Sequence, residues 1–327
     1  MRRRWLLLAV ILSAPSGCDN VKWGGVDVRL QAPSTQAAAA PDSSAQPVAE
    51  TTLPALPGGP ILLAGTRDGD RATLTVVGEV RGDALGALPT EEQAPGFLEH
   101  VTRTLLAPGT ELVLFSEGVR VGRLTVSGTA TDTLFCHPRA QVTGVVELVP
   151  GASAATRFLA LTDSAARRRG YGAFRVQGTE YEQRAASIAL ATEAIRQVGA
   201  AWPTSLVEAR GDIQSFRMSD APGPSVAATF LLGDRLAVAE PGAGAYALFV
   251  LGTSQDGAYR TSYAGYRTAA EGKGAPRYFA HLDWDGDGDT EILLDVFGAR
   301  TRWFASLGQR GGAWVQTFQD PCGTPTG

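Results

Sequence analysis

Nine consecutive residues hold the chain's most concentrated chemistry. From Asp283 to Glu291 the sequence reads Asp-Trp-Asp-Gly-Asp-Gly-Asp-Thr-Glu, which puts acids Asp283, Asp285, Asp287, Asp289 and Glu291 at positions 1, 3, 5, 7 and 9. Carboxylates so close repel one another, and a hard cation that gathers their oxygens relieves the repulsion. Calcium is the natural candidate. Gly288 at position 6 supplies the sharp turn that lets positions 1, 3 and 5 converge. The bland alternative is a solvated acidic turn. The flanks, Arg277 to Leu282 before and Glu291 to Phe297 after, read as strands.

A helix–loop–helix calcium site is excluded on two counts. Leu294 stands at position 12, where a bidentate Glu is required, and no amphipathic helix flanks the loop. Strand, DxDGDG loop, acid at position 9 and strand together resemble the calcium loops of FG-GAP and VCBS-type repeats, the blades of integrin-like β-propellers. The resemblance covers about fifty residues. It implies Asp283, Asp285, Asp287 and Glu291 as side-chain ligands of Ca²⁺ and Asp289 as a main-chain ligand.

The loop belongs to what reads as a twofold repeat. One series runs Phe216–Asp220, Ala227–Leu232, Tyr246–Gly252 and Gly257–Arg260. The other runs Phe279–Asp283, Thr290–Leu294, Trp303–Gly308 and Gly312–Val315. The first copy has Ala221-Pro222-Gly223-Pro224 where the second has Trp284-Asp285-Gly286-Asp287, so one copy is expected to bind metal and the other to be structural. Two units cannot close a propeller, which leaves an open or sandwich-like pair of blades leaning on the rest of the chain.

Upstream, strands are expected over Ala72–Val80, Thr110–Ser116, Val119–Val126, Thr133–Cys136, Ala140–Leu148 and Thr156–Leu161, with Glu117-Gly118 as a hairpin turn. A helix is expected from Thr90 through Leu105, its start delayed by Pro95, and a longer one from Thr179 through Val198, ended by Gly199. Arg167-Arg168-Arg169 reads as a solvated junction, with an anion site as the functional alternative. The fold class is α+β, predominantly β: an N-terminal β-rich domain at 60–165, a linker and helix at 166–204, and a pair of blade-like antiparallel β units at 205–327.

The first residues are read as processing signals. Arg2-Arg3-Arg4 and the apolar Trp5–Leu12 form the charged and hydrophobic regions of a signal peptide at 1–17, too short to span a bilayer permanently. Ser13-Ala14-Pro15-Ser16-Gly17-Cys18 resembles the lipobox of bacterial lipoproteins, with Pro15 where that family usually has Leu. The resemblance implies a lipidated Cys18 as mature N-terminus, and the Ala-, Pro- and Ser-rich stretch at 18–59 is then a disordered tether. Loss of three Arg takes the net charge from −4 to −7. With no basic stripe, that charge argues against nucleic acid.

Three cysteines are present in all. With Cys18 lipidated, Cys136 and Cys322 remain, either as a disulfide of an oxidising compartment or as two free thiols. The histidines His100, His137 and His281 join no recognisable catalytic motif: there is no HExxH, GxSxG or P-loop. The reading is therefore a non-enzyme, anchored to a membrane by lipid in the bacterial cell envelope, periplasmic or surface-facing. Its calcium-stabilised β domain is expected to have a structural role or to bind an envelope protein or glycan. The alternative is an exported hydrolase with its site in the N-terminal domain, which a deep cavity with converging polar groups would favour.

Overall fold

Strands that are apolar at every position must be covered on both faces, and the architecture follows from where such runs lie. The computed structural model describes residues 54–162 and 166–323; the expected signal peptide, Cys18 and most of the expected tether fall outside the described residues. Strands dominate, and every pairing between named strands is antiparallel.

The first strands are β1 (Ile61–Asp68), β2 (Arg71–Arg81) and the short β3 (Ala84–Gly86), followed by helix α1 (Phe97–Leu105). Then come β4 (Glu111–Ser116), β5 (Val119–Asp132), β6 (Arg139–Leu148) and β7 (Arg157–Leu161). Hydrogen bonding runs β1-β7-β4-β5-β6-β2, and β2 pairs back with β1, so six strands close into a barrel with β3 added at the side. Period-two alternation sorts the side chains. Ile61, Leu63, Leu74, Leu112, Leu114 and Phe158 fill the interior, while α1 contributes Phe97 and Val101 at one end. Leu62, Val77, Val113, Phe115, Leu159 and Leu161 point outward and are buried as well.

That outer face is covered by the second of two four-stranded sheets. Helix α2 (Tyr181–Val198) and the one-turn α3 (Leu206–Ala209) precede the first sheet: β8 (Arg210–Phe216), β9 (Ser225–Leu232), β10 (Tyr246–Gln255) and β11 (Ala258–Thr268). The second consists of β12 (Ala275–Leu282), β13 (Glu291–Phe297), β14 (Arg302–Arg310) and β15 (Ala313–Gln319). Each pairs its strands in chain order, the arrangement of a blade. One face of the second blade presents Leu282, Leu293 and Phe304 to the barrel, and the other presents Tyr278, Ile292, Leu294 and Leu307 to Phe216, Phe249 and Leu251 of the first blade. The far face of the first blade is covered by Leu190, Ala191, Ala194 and Ile195 of α2. Barrel, second blade, first blade and helix thus stack as consecutive layers.

Three element boundaries differ from the sequence reading. The first strand of the first blade is Arg210–Phe216, and Arg217–Asp220 lies beyond it. β8 is an edge strand, so its alternation Asp212-Ile213-Gln214-Ser215 is polar and reads as loop. Helix α1 begins only at Phe97, because Gly96 adopts a left-handed φ of 77° just after Pro95. Thr133–Cys136 is no strand; Phe135 makes a single bridge to Arg302.

Cys136, in the segment between β5 and β6, is joined to Cys322 in the turn after β15, with Cα atoms 6.0 Å apart. Beside the bridge, Arg139 donates to the carbonyls of Val76 and Val77 at 2.9 and 2.8 Å and pairs with buried Asp320. Its guanidinium also lies over Phe135 and Phe304. The bridge spans 186 residues, and loop-closure entropy assigns such a staple about 5 kcal/mol. Replacing both cysteines by Ser should lower the urea midpoint accordingly while leaving the β-type circular dichroism intact, since the Arg139–Asp320 pair still holds the two segments. An unchanged midpoint would reject the staple.

Candidate metal centre

The acidic loop joins β12 to β13 at one end of the doubly covered blade. Gly286 and Gly288 take φ values of 87° and 100°, which L side chains rarely adopt, so the two tight reversals require glycine. The loop then winds around Asp283, whose Oδ1 accepts from the Gly286 N–H at 2.6 Å and whose Oδ2 accepts from Gly288 at 3.2 Å. Asp285 Oδ1 accepts from the Asp287 N–H at 3.1 Å, and Asp287 Oδ1 from Asp289 at 2.8 Å. Glu291, the first residue of β13, folds its side chain back to accept from the Trp284 N–H at 3.2 Å.

The structure brings together three of the five acids. Carboxylate oxygens of Asp283, Asp285 and Glu291 lie within 4.8 Å of one another. Asp287 and Asp289 are exposed and stand outside that group. Asp285 Oδ2 is buried and has no hydrogen-bond partner, an orphaned acceptor on one of these three residues. Burial pushes the Glu291 carboxyl up to about 8, with the negative charge of Asp285 adding to it. Burial raises Asp285 too, and Asp287 and Asp283 reinforce the shift. Oxygen-only donors, carboxylates with backbone carbonyls within the same loop, suit a hard cation and not a soft one. Asp283, Asp285 and Glu291 could hold it, and its charge would offset the mutual repulsion.

Three contacts fix the loop to the rest of the fold. Trp284 is buried against the outer face of the barrel. Arg169 donates through its two terminal nitrogens to the carbonyls of Asp283 and Trp284, the latter at 3.0 Å, while its guanidinium lies 5.7 Å over the Phe115 ring. Arg169 is therefore neither solvated nor an anion site, while Arg167 and Arg168 of the same run are exposed, as the solvated junction was expected to be. Asp220, in the loop between β8 and β9 of the first blade and just before Ala221-Pro222-Gly223-Pro224, accepts from the Thr290 hydroxyl at 2.6 Å and from the Gln309 amide at 3.0 Å. Neither Arg169 nor Asp220 was legible as part of this site: the one sits in a basic run, and the other is the single acid in a loop without the alternating acid pattern.

The remaining metal-type residues are engaged elsewhere. Cys136, His137 and Cys322 cluster, but the two sulfurs are bonded to each other. His281 is buried, accepts at Nδ1 from the Tyr278 hydroxyl at 2.6 Å and donates from Nε2 to the Arg217 carbonyl at 3.2 Å. Burial lowers it to about 4, so it is a neutral linking group between the blades. No family model, curated protein or solved structure matches the chain.

In the absence of divalent ions, Glu291 fixes the sign of a pH effect. Its folded value of about 8 lies above the roughly 4.3 of an unfolded Glu. The native state therefore holds an extra proton between those values, and stability should fall as pH rises from about 4.5 to 8. Urea midpoints in chelator at three pH values across that window should decrease steadily, and Glu291→Gln should flatten the trend. A slope that Glu291→Gln leaves intact would assign it to other groups.

Proposed function

We propose that the 283–291 loop binds one Ca²⁺ that stabilises the blade pair, within an exported, lipid-anchored protein of the bacterial cell envelope whose role is structural or binding. The observation that carries the metal reading is the buried, partnerless Oδ2 of Asp285 among three carboxylates whose oxygens lie within 4.8 Å. Asp283, Asp285 and Glu291 supply side-chain oxygens, Asp287 joins them from its exposed position, and Asp289 contributes its carbonyl. The ion supplies charge compensation. Magnesium, with its smaller octahedral shell and reluctant dehydration, suits this flexible acid-rich loop less well. The anchoring reading rests on the Ser16-Gly17-Cys18 sequence after an Arg-rich, apolar leader. Among the described residues no helix is long and apolar enough to cross a membrane, so the proposed membrane contact is the lipid on Cys18.

Calcium should raise the melting temperature and magnesium should do so much less. At free calcium about 100-fold above the dissociation constant, mass action gives roughly 2.7 kcal/mol. Asp285→Ala removes a ligand and relieves repulsion together, so it should abolish the calcium effect while costing the chelated protein little. Equal melting curves for the unaltered protein in calcium and in chelator would reduce the loop to an acidic turn. Separately, an alkyne fatty acid fed to expressing cells should label the protein, and Cys18→Ser should remove the label. Label retained by Cys18→Ser would refute the anchor.

A further inference from the structure

The disulfide lies within a second set of metal-type donors, of a different chemical kind from the acidic loop. Sγ of Cys136, Sγ of Cys322 and a ring nitrogen of His137 lie within 4.8 Å of one another, and all three residues are half-buried. Two thiolates and an imidazole suit soft and borderline cations, Zn²⁺ above all, and do not suit calcium. Bonded to each other, the sulfurs offer no thiolate. Reduction supplies two.

The donors stay together after reduction only if other contacts hold them. The segment carrying Cys136 and His137 is pinned by the bridge from Phe135 to Arg302 and by the Arg302 N–H, which donates to the Leu134 carbonyl at 3.1 Å. The turn carrying Cys322 is pinned by Asp320, whose N–H donates to the Phe304 carbonyl at 3.0 Å and whose carbonyl accepts from the Gly323 N–H at 2.8 Å. Arg139 joins the two segments through its pair with Asp320. None of these contacts needs the sulfur–sulfur bond.

Asp320 also points to what the oxidised form lacks. It is 1% exposed, its Oδ2 accepts from the Arg139 guanidinium, and its Oδ1 lies 3.3 Å from Cys322 Sγ. Among the described residues no N–H or hydroxyl donates to that Oδ1. A disulfide sulfur has no proton to give, so the bridge leaves a buried carboxylate oxygen unanswered. A thiol at Cys322 would donate to it, which keeps that sulfur in place once the bridge opens.

We propose that the reduced protein binds one Zn²⁺ through Cys136, His137 and Cys322, with water in the fourth place. Reduction requires a dithiol. One of its thiolates attacks a sulfur of the bridge, the other resolves the mixed disulfide, and two electrons pass to the cysteine pair as the reductant closes its own disulfide. Zn²⁺ then displaces two thiol protons to solvent. The cation and two thiolates sum to zero, so the neighbouring Arg139–Asp320 pair meets no new net charge. One staple thereby replaces another, because the metal ties the segment after β5 to the turn after β15 where the covalent bridge did.

The test uses the whole chain carrying Cys18→Ser, which leaves Cys136 and Cys322 as its two cysteines. Co²⁺ is the spectroscopic probe, added without oxygen to phosphine-reduced protein in excess calcium, which competes for carboxylate sites. Reduced protein should take up one Co²⁺ with the near-ultraviolet thiolate charge-transfer band and strong visible bands of a tetrahedral site, and one equivalent of Zn²⁺ should bleach them. The oxidised protein should show neither. His137→Ala should weaken Zn²⁺ binding by more than about tenfold, the least that even an outer-shell partner of a metal ligand is worth. Zn²⁺ should also raise the melting temperature of the reduced protein and leave that of the oxidised protein unmoved. Absence of the charge-transfer band, equal spectra before and after reduction, or unaltered affinity in His137→Ala would overturn the site. A reduced, metal-loaded chain without the native near-ultraviolet circular dichroism would overturn it too, because the fold is what assembles the donors. None of these readouts uses the acidic loop or Cys18, so they are separate from failure of the calcium or anchor readings.

Discussion

A sheet that is apolar on both faces cannot stop at one layer, and the second blade imposes that constraint on everything around it. Every residue of β13 is buried. The barrel covers one face and the first blade the other. Each cover then inherits a demand of its own. The barrel resolves it by closing on itself, so that its inward side chains need no further partner. The first blade, an open sheet, takes α2 across its remaining face. The stacking order is thus the consequence of where unalternated apolar runs occur along the chain.

The acidic loop sits at an end of this most constrained layer, and its shape is set by groups that are not acids. Trp284 seats it on the barrel, Arg169 holds two successive carbonyls, and Asp220 ties Thr290 to the neighbouring blade. A loop so restrained keeps its carboxylates together at the expense of their own ionisation, which is why burial and mutual repulsion raise Glu291 and Asp285. The β8–β9 loop of the first blade carries a single acid, Asp220, and that residue works as an acceptor between blades. The two blades differ in the chemistry of these loops while sharing the same strand order.

What the sequence revealed depended on whether the signal was local. Carboxylate spacing, the Gly positions and the Ile292-Leu293-Leu294 run are local, and each lies where it was expected. The stripe expected along α2, Tyr181, Ala185, Ile188, Ala191, Ile195 and Val198, is only partly the buried face: Tyr181, Ala185 and Val198 are exposed, and Leu190 and Ala194 join Ala191 and Ile195 instead. The disulfide partners followed from cysteine arithmetic. Closure of the barrel did not, because the pairings of β1 with β7 and of β2 with β6 join strands far apart in sequence. Edge strand β8 was displaced because solvent on one side permits polar residues that resemble a loop. Arg169 stayed hidden because a guanidinium that binds carbonyls looks, in sequence, like any other surface Arg.

The buried pair of Arg139 and Asp320 also has a bearing on the order in which the molecule is made. The two residues are 181 positions apart, so the arginine leaves the ribosome, and any export channel, long before its counter-ion does. A barrel that closed on emergence would desolvate a guanidinium before its hydrogen-bonded carboxylate existed, with only the field of Asp132 to offset a cost of several kcal/mol. The barrel strands can therefore pair early, but the end of the barrel around Arg139 has to stay wet until Asp320 arrives. Completion of the barrel is in this sense timed by a residue made 181 positions later, and a nascent chain stalled before Asp320 leaves its barrel unsealed.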